Sequence, residues 1–164
     1  MIAISFSVRA LAAADAGAIA SWRYPPPYDV YDVPKDPSWE AEILDATRWG
    51  TSYFAVDDAE SGELVGFLEL VAKEPDSDDD LEIEIGLGLR PDLTGLGFGP
   101  SLVEAGMAFA RDRCRPRTFA LDVFPWNERA IRAYEKAGFE RGDVYVRTFP
   151  DGNEVTFLRM ARPA

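Results

Sequence analysis

Histidine is absent from this sequence of 164 residues, and cysteine occurs once, at Cys114. Without histidine no Ser-His-Asp or Cys-His nucleophile can be built. Neither a histidine nor a multi-cysteine zinc site can form, so no metal is expected. A lone cysteine makes no intrachain disulfide, which suits a reducing, cytoplasmic setting. Base is also scarce: 17 Lys and Arg stand against 29 Asp and Glu, a net charge of −12, which argues against a general nucleic-acid binder. No apolar run approaches the roughly 20 residues needed to cross a bilayer. The opening Met1–Arg9 lacks the basic start of a signal peptide. Neither a membrane nor a secretory route is therefore expected.

What remains is enough for a core. Hydrophobic residues make up 47% of the chain and aromatics 12%, and the length allows one ordinary domain, residues 1–164. Charge is uneven along it. Residues 1–80 hold 5 basic and 17 acidic side chains, whereas residues 81–164 hold 12 of each. The first half should then attract cations and the second tolerate an anion; equally, acidic loops such as Asp76–Asp80 serve solubility.

Ile2, Ile4, Phe6 and Val8 alternate with small or polar residues and predict a first strand. Alanine-rich residues 11–21 predict a helix. Residues 24–37, with five prolines, exclude both a helix and a central strand. Ser38 is the expected cap of a second helix ending near Gly50. Strands are expected at 51–57 and 63–71. A third, at 81–89, sends Leu81, Ile83, Ile85, Leu87 and Leu89 one way and Glu82, Glu84, Gly86 and Gly88 the other. A helix from the following turn to about Arg113 leads to a strand at 117–124, a helix at 127–137 and a hairpin at 139–149 and 153–161. The order βααβββαβαββ describes a mixed sheet covered by helices in one α/β domain.

Between the strong strand and the helix lies Thr94-Gly95-Leu96-Gly97-Phe98-Gly99-Pro100-Ser101. Phosphate oxygens need several amide donors converging on one point with no Cβ in the way. A glycine turn entering a helix supplies both the donors and the positive end of the dipole. The alternative is a tight connection that needs glycine for positive φ. A phosphate-binding P-loop would need Lys-Ser or Lys-Thr here, and the dinucleotide fingerprint would need glycine at Pro100.

This segment resembles the acetyl-coenzyme A motif of the GCN5-related N-acetyltransferase superfamily, with Leu89-Arg90-Pro91 before it. A second stretch, Asn127-Glu128-Arg129-Ala130-Ile131-Arg132-Ala133-Tyr134-Glu135-Lys136-Ala137-Gly138-Phe139, is similar to that family's later signature. Thr94 departs from the family's usual arginine or glutamine. The resemblance implies a single-domain, mostly antiparallel sheet flanked by helices, and transfer of acetyl from acetyl-coenzyme A to a primary amine by direct attack. It implies donor contacts from Thr94, Gly95, Leu96, Gly97, Phe98, Gly99, Ser101, Asn127 and Arg129. Pantetheine would pair with the backbone of Leu87 and Leu89, and Gly86 and Gly88 would allow its approach.

Tyr134 matches the tyrosine that protonates the leaving thiolate in many members; read from its residues alone, it is equally a core aromatic. Asn127 is also a natural helix cap. Glu84 matches a common acidic position, and with Glu82 on the same strand face it offers a carboxylate base acting through water; a solvated carboxylate pair is the alternative. In this family the segment after the first strand lines the acceptor pocket. Here it carries Trp22, Tyr24, Tyr28 and Tyr31 beside Asp29 and Asp32, which suits a cationic small molecule or a protein N-terminus, or simply packs on itself. The resemblance also admits a homodimer. A non-catalytic acyl-coenzyme A-binding module is the competing reading, and a Rossmann-type nucleotide binder a weaker third.

Overall fold

The computed structural model describes residues 3–73 and 80–164. The expected solubilising run therefore lies, except for Asp80, outside the described residues. Seven strands form one sheet in the order β1-β2-β3-β4-β5-β7-β6. They are β1 (Phe6–Ala10), β2 (Tyr53–Asp58), β3 (Leu64–Lys73), β4 (Glu82–Leu89), β5 (Thr118–Val123), β6 (Glu140–Thr148) and β7 (Glu154–Pro163). The helices are α1 (Ala13–Ser21), α2 (Pro37–Ile43), α3 (Gly99–Cys114) and α4 (Glu128–Lys136). The expected βααβββαβαββ order stands, with short 3-10 turns at Tyr28–Tyr31, Val33–Lys35, Ala46–Arg48 and Pro91–Leu93. Neighbours β1–β2, β2–β3, β5–β7 and β6–β7 run antiparallel and β4–β5 parallel.

Several boundaries move. The first strand begins at Phe6, so Ile4 precedes it. Helix α2 is capped by Asp36, whose carboxylate accepts from the amides of Ser38 at 3.0 Å and Trp39 at 3.1 Å, and not by Ser38. Pro37 fixes this outcome, because proline suits the first helical position and puts the cap immediately before it. The same helix stops at Ile43 rather than near Gly50; Asp45 then caps a separate 3-10 turn through the Thr47 amide.

Contacts divide the chain into two compact units. One comprises the chain up to Glu69 together with Leu87–Phe98, and the other Leu70–Gly86 together with Gly99–Ala164. In the first unit Ile19, Val33, Ile43, Tyr53 and Ala55 form a buried cluster, and Trp22, Trp39 and Trp49 pack on it. Arg9 joins β1 to α1 and β2 through Asp15, at 2.7 and 2.9 Å, and Asp57. Asp15 also caps the Ala12 amide at 2.8 Å.

In the second unit, alternate residues of β5 and β7 (Phe119, Leu121, Val123, Leu158 and Met160) are buried with Leu102, Val103 and Met107 of α3 and Ile131 of α4. Each fully buried aliphatic side chain there contributes about 1.5–3 kcal/mol. The pairing of β4 with β5 covers only Glu82↔Thr118, Ile83↔Phe119 and Glu84↔Ala120.

Candidate functional site

Strand β4 delivers the chain to the glycine turn. Arg90 donates its amide to the Val65 carbonyl at 2.8 Å, so its main chain faces β3. The main-chain groups of Leu89 and Leu87 therefore point to the opposite edge of β4. Arg90 itself is engaged locally, holding Asp92 at 2.7 and 3.1 Å and the Leu64 carbonyl at 3.1 Å. Thr94 turns its hydroxyl onto the Pro91 carbonyl at 2.8 Å. Here threonine closes the preceding 3-10 turn.

Gly95 and Gly97 adopt φ of 74° and 89°, in the left-handed region. The turn thus does require glycine for its conformation, and that conformation aims its amides. Among the described residues none accepts a hydrogen bond from the N–H groups of Gly95, Leu96 or Gly97. A Cβ on Gly97 would meet nothing within 4 Å, so the turn stands open there. Leu96 is 62% exposed on its crest. The third glycine has a different reason. A Cβ on Gly99 would lie 3.0 Å from the Ala133 Cβ, so Gly99 lets α3 start close against α4. Ser101 follows in the first turn of α3, exposed. Open, left-handed amides running into a 16-residue helix fit a diphosphate.

Gly88 does not serve ligand approach. A Cβ there would overlap the edge of the Phe67 ring, which already fills the space. Asn127 caps α4, its side chain accepting from the Ala130 amide at 3.2 Å, and Arg129 sits exposed on the same helix. Tyr134 is half-buried on α4, edge-on to Phe139 at 6.1 Å.

The aromatic segment is less of a box than its composition implies. Trp22 packs on the first unit's core. Tyr28 and Tyr31 are half-buried in one 3-10 turn. Both acids nearby are committed: Asp29 pairs with Lys35, and buried Asp32 accepts from the Tyr24 amide at 2.9 Å. Tyr24 reaches an expected donor contact, giving its hydroxyl to the Leu89 carbonyl at 2.6 Å.

Glu82 and Glu84 do share a face, but Arg159 of β7 holds both, at 2.6 and 2.9 Å, and Lys73 adds a second cation to Glu84 at 3.0 Å. Burial pushes the Glu84 carboxyl up, yet Arg159 and Lys73 outweigh it and hold the group below the ordinary carboxylate value. Arg159 is also 3.4 Å from Asp122. Sequence reasoning missed this arginine. The same-face parity of Glu82, Glu84, Asp122 and Arg159 was available, but only the insertion of β7 beside β5 brings them together. No group of His, Cys, Asp and Glu suited to a metal ion occurs among the described residues, and no helix among them is long and apolar enough to cross a membrane.

A sequence model of the Acetyltransferase (GNAT) family matches residues 16–139. Mycothiol acetyltransferase of Salinispora tropica is 34% identical over 122 residues, covering 70% of this chain and 39% of that protein. The chain therefore spans about two fifths of that relative's length. Among solved structures, a GNAT-family acetyltransferase from Bacillus anthracis superposes with a TM-score of 0.72 at 19% identity, covering 99% of this chain and 97% of that one. The spermidine N-acetyltransferase of Vibrio cholerae, in complex with coenzyme A and spermine, gives 0.67 at 22% identity, covering 96% and 95%. The two structures share the fold, and the family model spans well over half of the sequence: the chain belongs to the GNAT acetyltransferase family.

Proposed function

We propose that this protein is an N-acetyltransferase that moves acetyl from acetyl-coenzyme A to a primary amine on a cationic small molecule or a protein N-terminus. The observation that carries the reading is the turn at 95–97, whose left-handed glycines hold unspent amides ahead of α3. In this reading the amides of residues 95–101 bind the diphosphate, and Asn127 and Arg129 of α4 are further donor contacts. Leu87 and Leu89 offer main-chain partners for pantetheine, and Tyr24 shares the Leu89 carbonyl. A carbonyl has two lone pairs, so one oxygen can serve both donors.

The chemistry is one addition and one elimination. The neutral amine attacks the thioester carbonyl, a C–N bond forms, the C–S bond breaks, and the Tyr134 hydroxyl supplies a proton to the departing thiolate. The carboxylates are poorly placed as bases. Two cations hold Glu84 ionised and weaken its basicity, and Arg159 likewise occupies Glu82. The ammonium proton therefore goes to water, while Glu82 and Glu84 fix Arg159. The Salinispora relative is named a mycothiol acetyltransferase, and the Vibrio structure is a spermidine N-acetyltransferase in complex with coenzyme A and spermine; the second supports an amine acceptor.

Incubating a panel of amines with acetyl-coenzyme A and measuring free thiol release tests the reading. Amine-dependent release supports it. Donor binding with no turnover on any amine would instead mark a binding module.

A further inference from the structure

Strand β6 ends the sheet, with only β7 beside it among the described residues. The hairpin shows which of its main-chain groups are used. Phe149 donates its amide to the Asn153 carbonyl at 2.8 Å, and the register continues as Thr148↔Glu154, Arg147↔Val155, Val146↔Thr156, Tyr145↔Phe157 and Val144↔Leu158. Antiparallel pairs alternate between hydrogen-bonded and non-bonded. The main-chain groups of Arg147 and Tyr145 therefore meet β7, while those of Val144, Val146 and Thr148 point outward. They leave an open ladder beyond the irregularity that lies between Arg141 and Val144.

Such an edge is a template for another strand, and lysine or proline commonly blunts it. Neither interrupts Val144–Thr148. Instead the segment carries Val144 and Val146, which are 60% and 56% exposed. Both stand on the face of the sheet that holds Leu158, the buried partner of Val144. Two bare valines beside unspent main-chain groups fit an added strand.

Charge decides which strand. On the other face Asp143 and Arg147, both exposed, stand two residues to either side of Tyr145. Among the described residues neither is held in an ion pair, and Arg147 lies over its own Phe149 ring at 5.1 Å. Opposite signs placed symmetrically about one residue make a segment complementary to itself run backwards. When two copies of β6 pair antiparallel about Tyr145, Asp143 of each falls opposite Arg147 of the other, and Val144 opposite Val146. Each match occurs twice. The same register makes Val144 and Val146 hydrogen-bonded pairs, as their outward main-chain groups require. Centring on Val144 or on Val146 instead would set Asp143 opposite Tyr145 or Phe149, and the charges would miss each other.

We propose that β6 is a homotypic interface: two copies of this chain join edge to edge about Tyr145, through Val144–Val146 main-chain pairs and two Asp143–Arg147 ion pairs. Each copy's open edge is consumed by the other, so the assembly closes at a dimer. Sedimentation velocity of the full chain over a range of concentrations tests it, and a species of twice the chain mass is expected. Asp143→Arg sets like charges opposite Arg147 of the second copy, and Arg147→Asp does so opposite Asp143. Each should raise the dimer dissociation constant about tenfold or more, and the double swap should restore it. Both side chains are exposed, and melting curves matching the parent's verify the fold. Val146→Pro removes an amide that β7 does not use, a change an edge strand tolerates, and should also give monomer. A parent that is monomeric throughout, single swaps that dimerise like the parent, or a double swap that stays monomeric overturns the proposal. None of these readouts involves acetyl transfer.

Discussion

Replacing Gly97 with alanine separates the shape of the turn from its chemistry. At a φ of 89° the backbone is one that an L-residue enters at a cost of about 1–2 kcal/mol. The new Cβ would touch nothing within 4 Å, so no steric clash adds to that strain. For a chain of this size such a loss lowers the melting temperature by about 2–8 °C. The protein therefore stays folded. If the turn relaxes out of the left-handed region, its amides swing away from their common point. Losing one charge-assisted hydrogen bond to a phosphate is worth about 1.5–3 kcal/mol, or about 10–150-fold in dissociation constant. Urea denaturation gives the first number and calorimetric titration of coenzyme A the second. A stability loss of the expected size with donor affinity unchanged within about twofold would refute the phosphate cradle.

Tyr134→Phe should lower turnover about hundredfold or more while leaving the dissociation constant of coenzyme A in place; a variant as fast as the parent removes the acid role. Glu84→Gln should lose about 1–3 kcal/mol of stability as Lys73 and Arg159 lose a partner, with turnover at saturating amine nearly unchanged. A hundredfold fall in turnover would instead make Glu84 the base. Asp15→Ala should cost about 1–2 kcal/mol at neutral pH, through the lost Ala12 cap and Arg9 pairing. Arg9 holds the Asp15 carboxyl below its ordinary value of 3.8, so the contribution is present above that value and fades as pH falls through and below it. Denaturation midpoints of parent and variant should accordingly converge in acid, and a gap that is constant with pH would contradict the ion pair.

Much of this molecule could be read from local pattern. Strand β4 declares itself by alternation, and Asn127 caps α4 where its spacing to Ala130 says it should. The glycine turn was legible as a turn between β4 and α3, with two of its glycines answering to backbone conformation and the third to packing. What escaped depends on distant partners. Gly88 looked like room for a ligand, and only the pairing of β3 beside β4 shows the Phe67 ring in that space. Trp22 looked like part of a pocket, but it closes a core whose other walls lie far along the chain. Glu84 looked like a free carboxylate because nothing near it in sequence announces Arg159, 75 residues away. Ser38 looked like the cap of α2, and Pro37 at the first helical position moved that role to Asp36.

The contact between Gly99 and Ala133 ties the molecule's two signature stretches together mechanically. A methyl gained at position 99 has to be given back at position 133, or the two helices part. Lineages drifting at either site should therefore be seen to drift in tandem, and a graft that transplants one stretch without the other carries a built-in misfit.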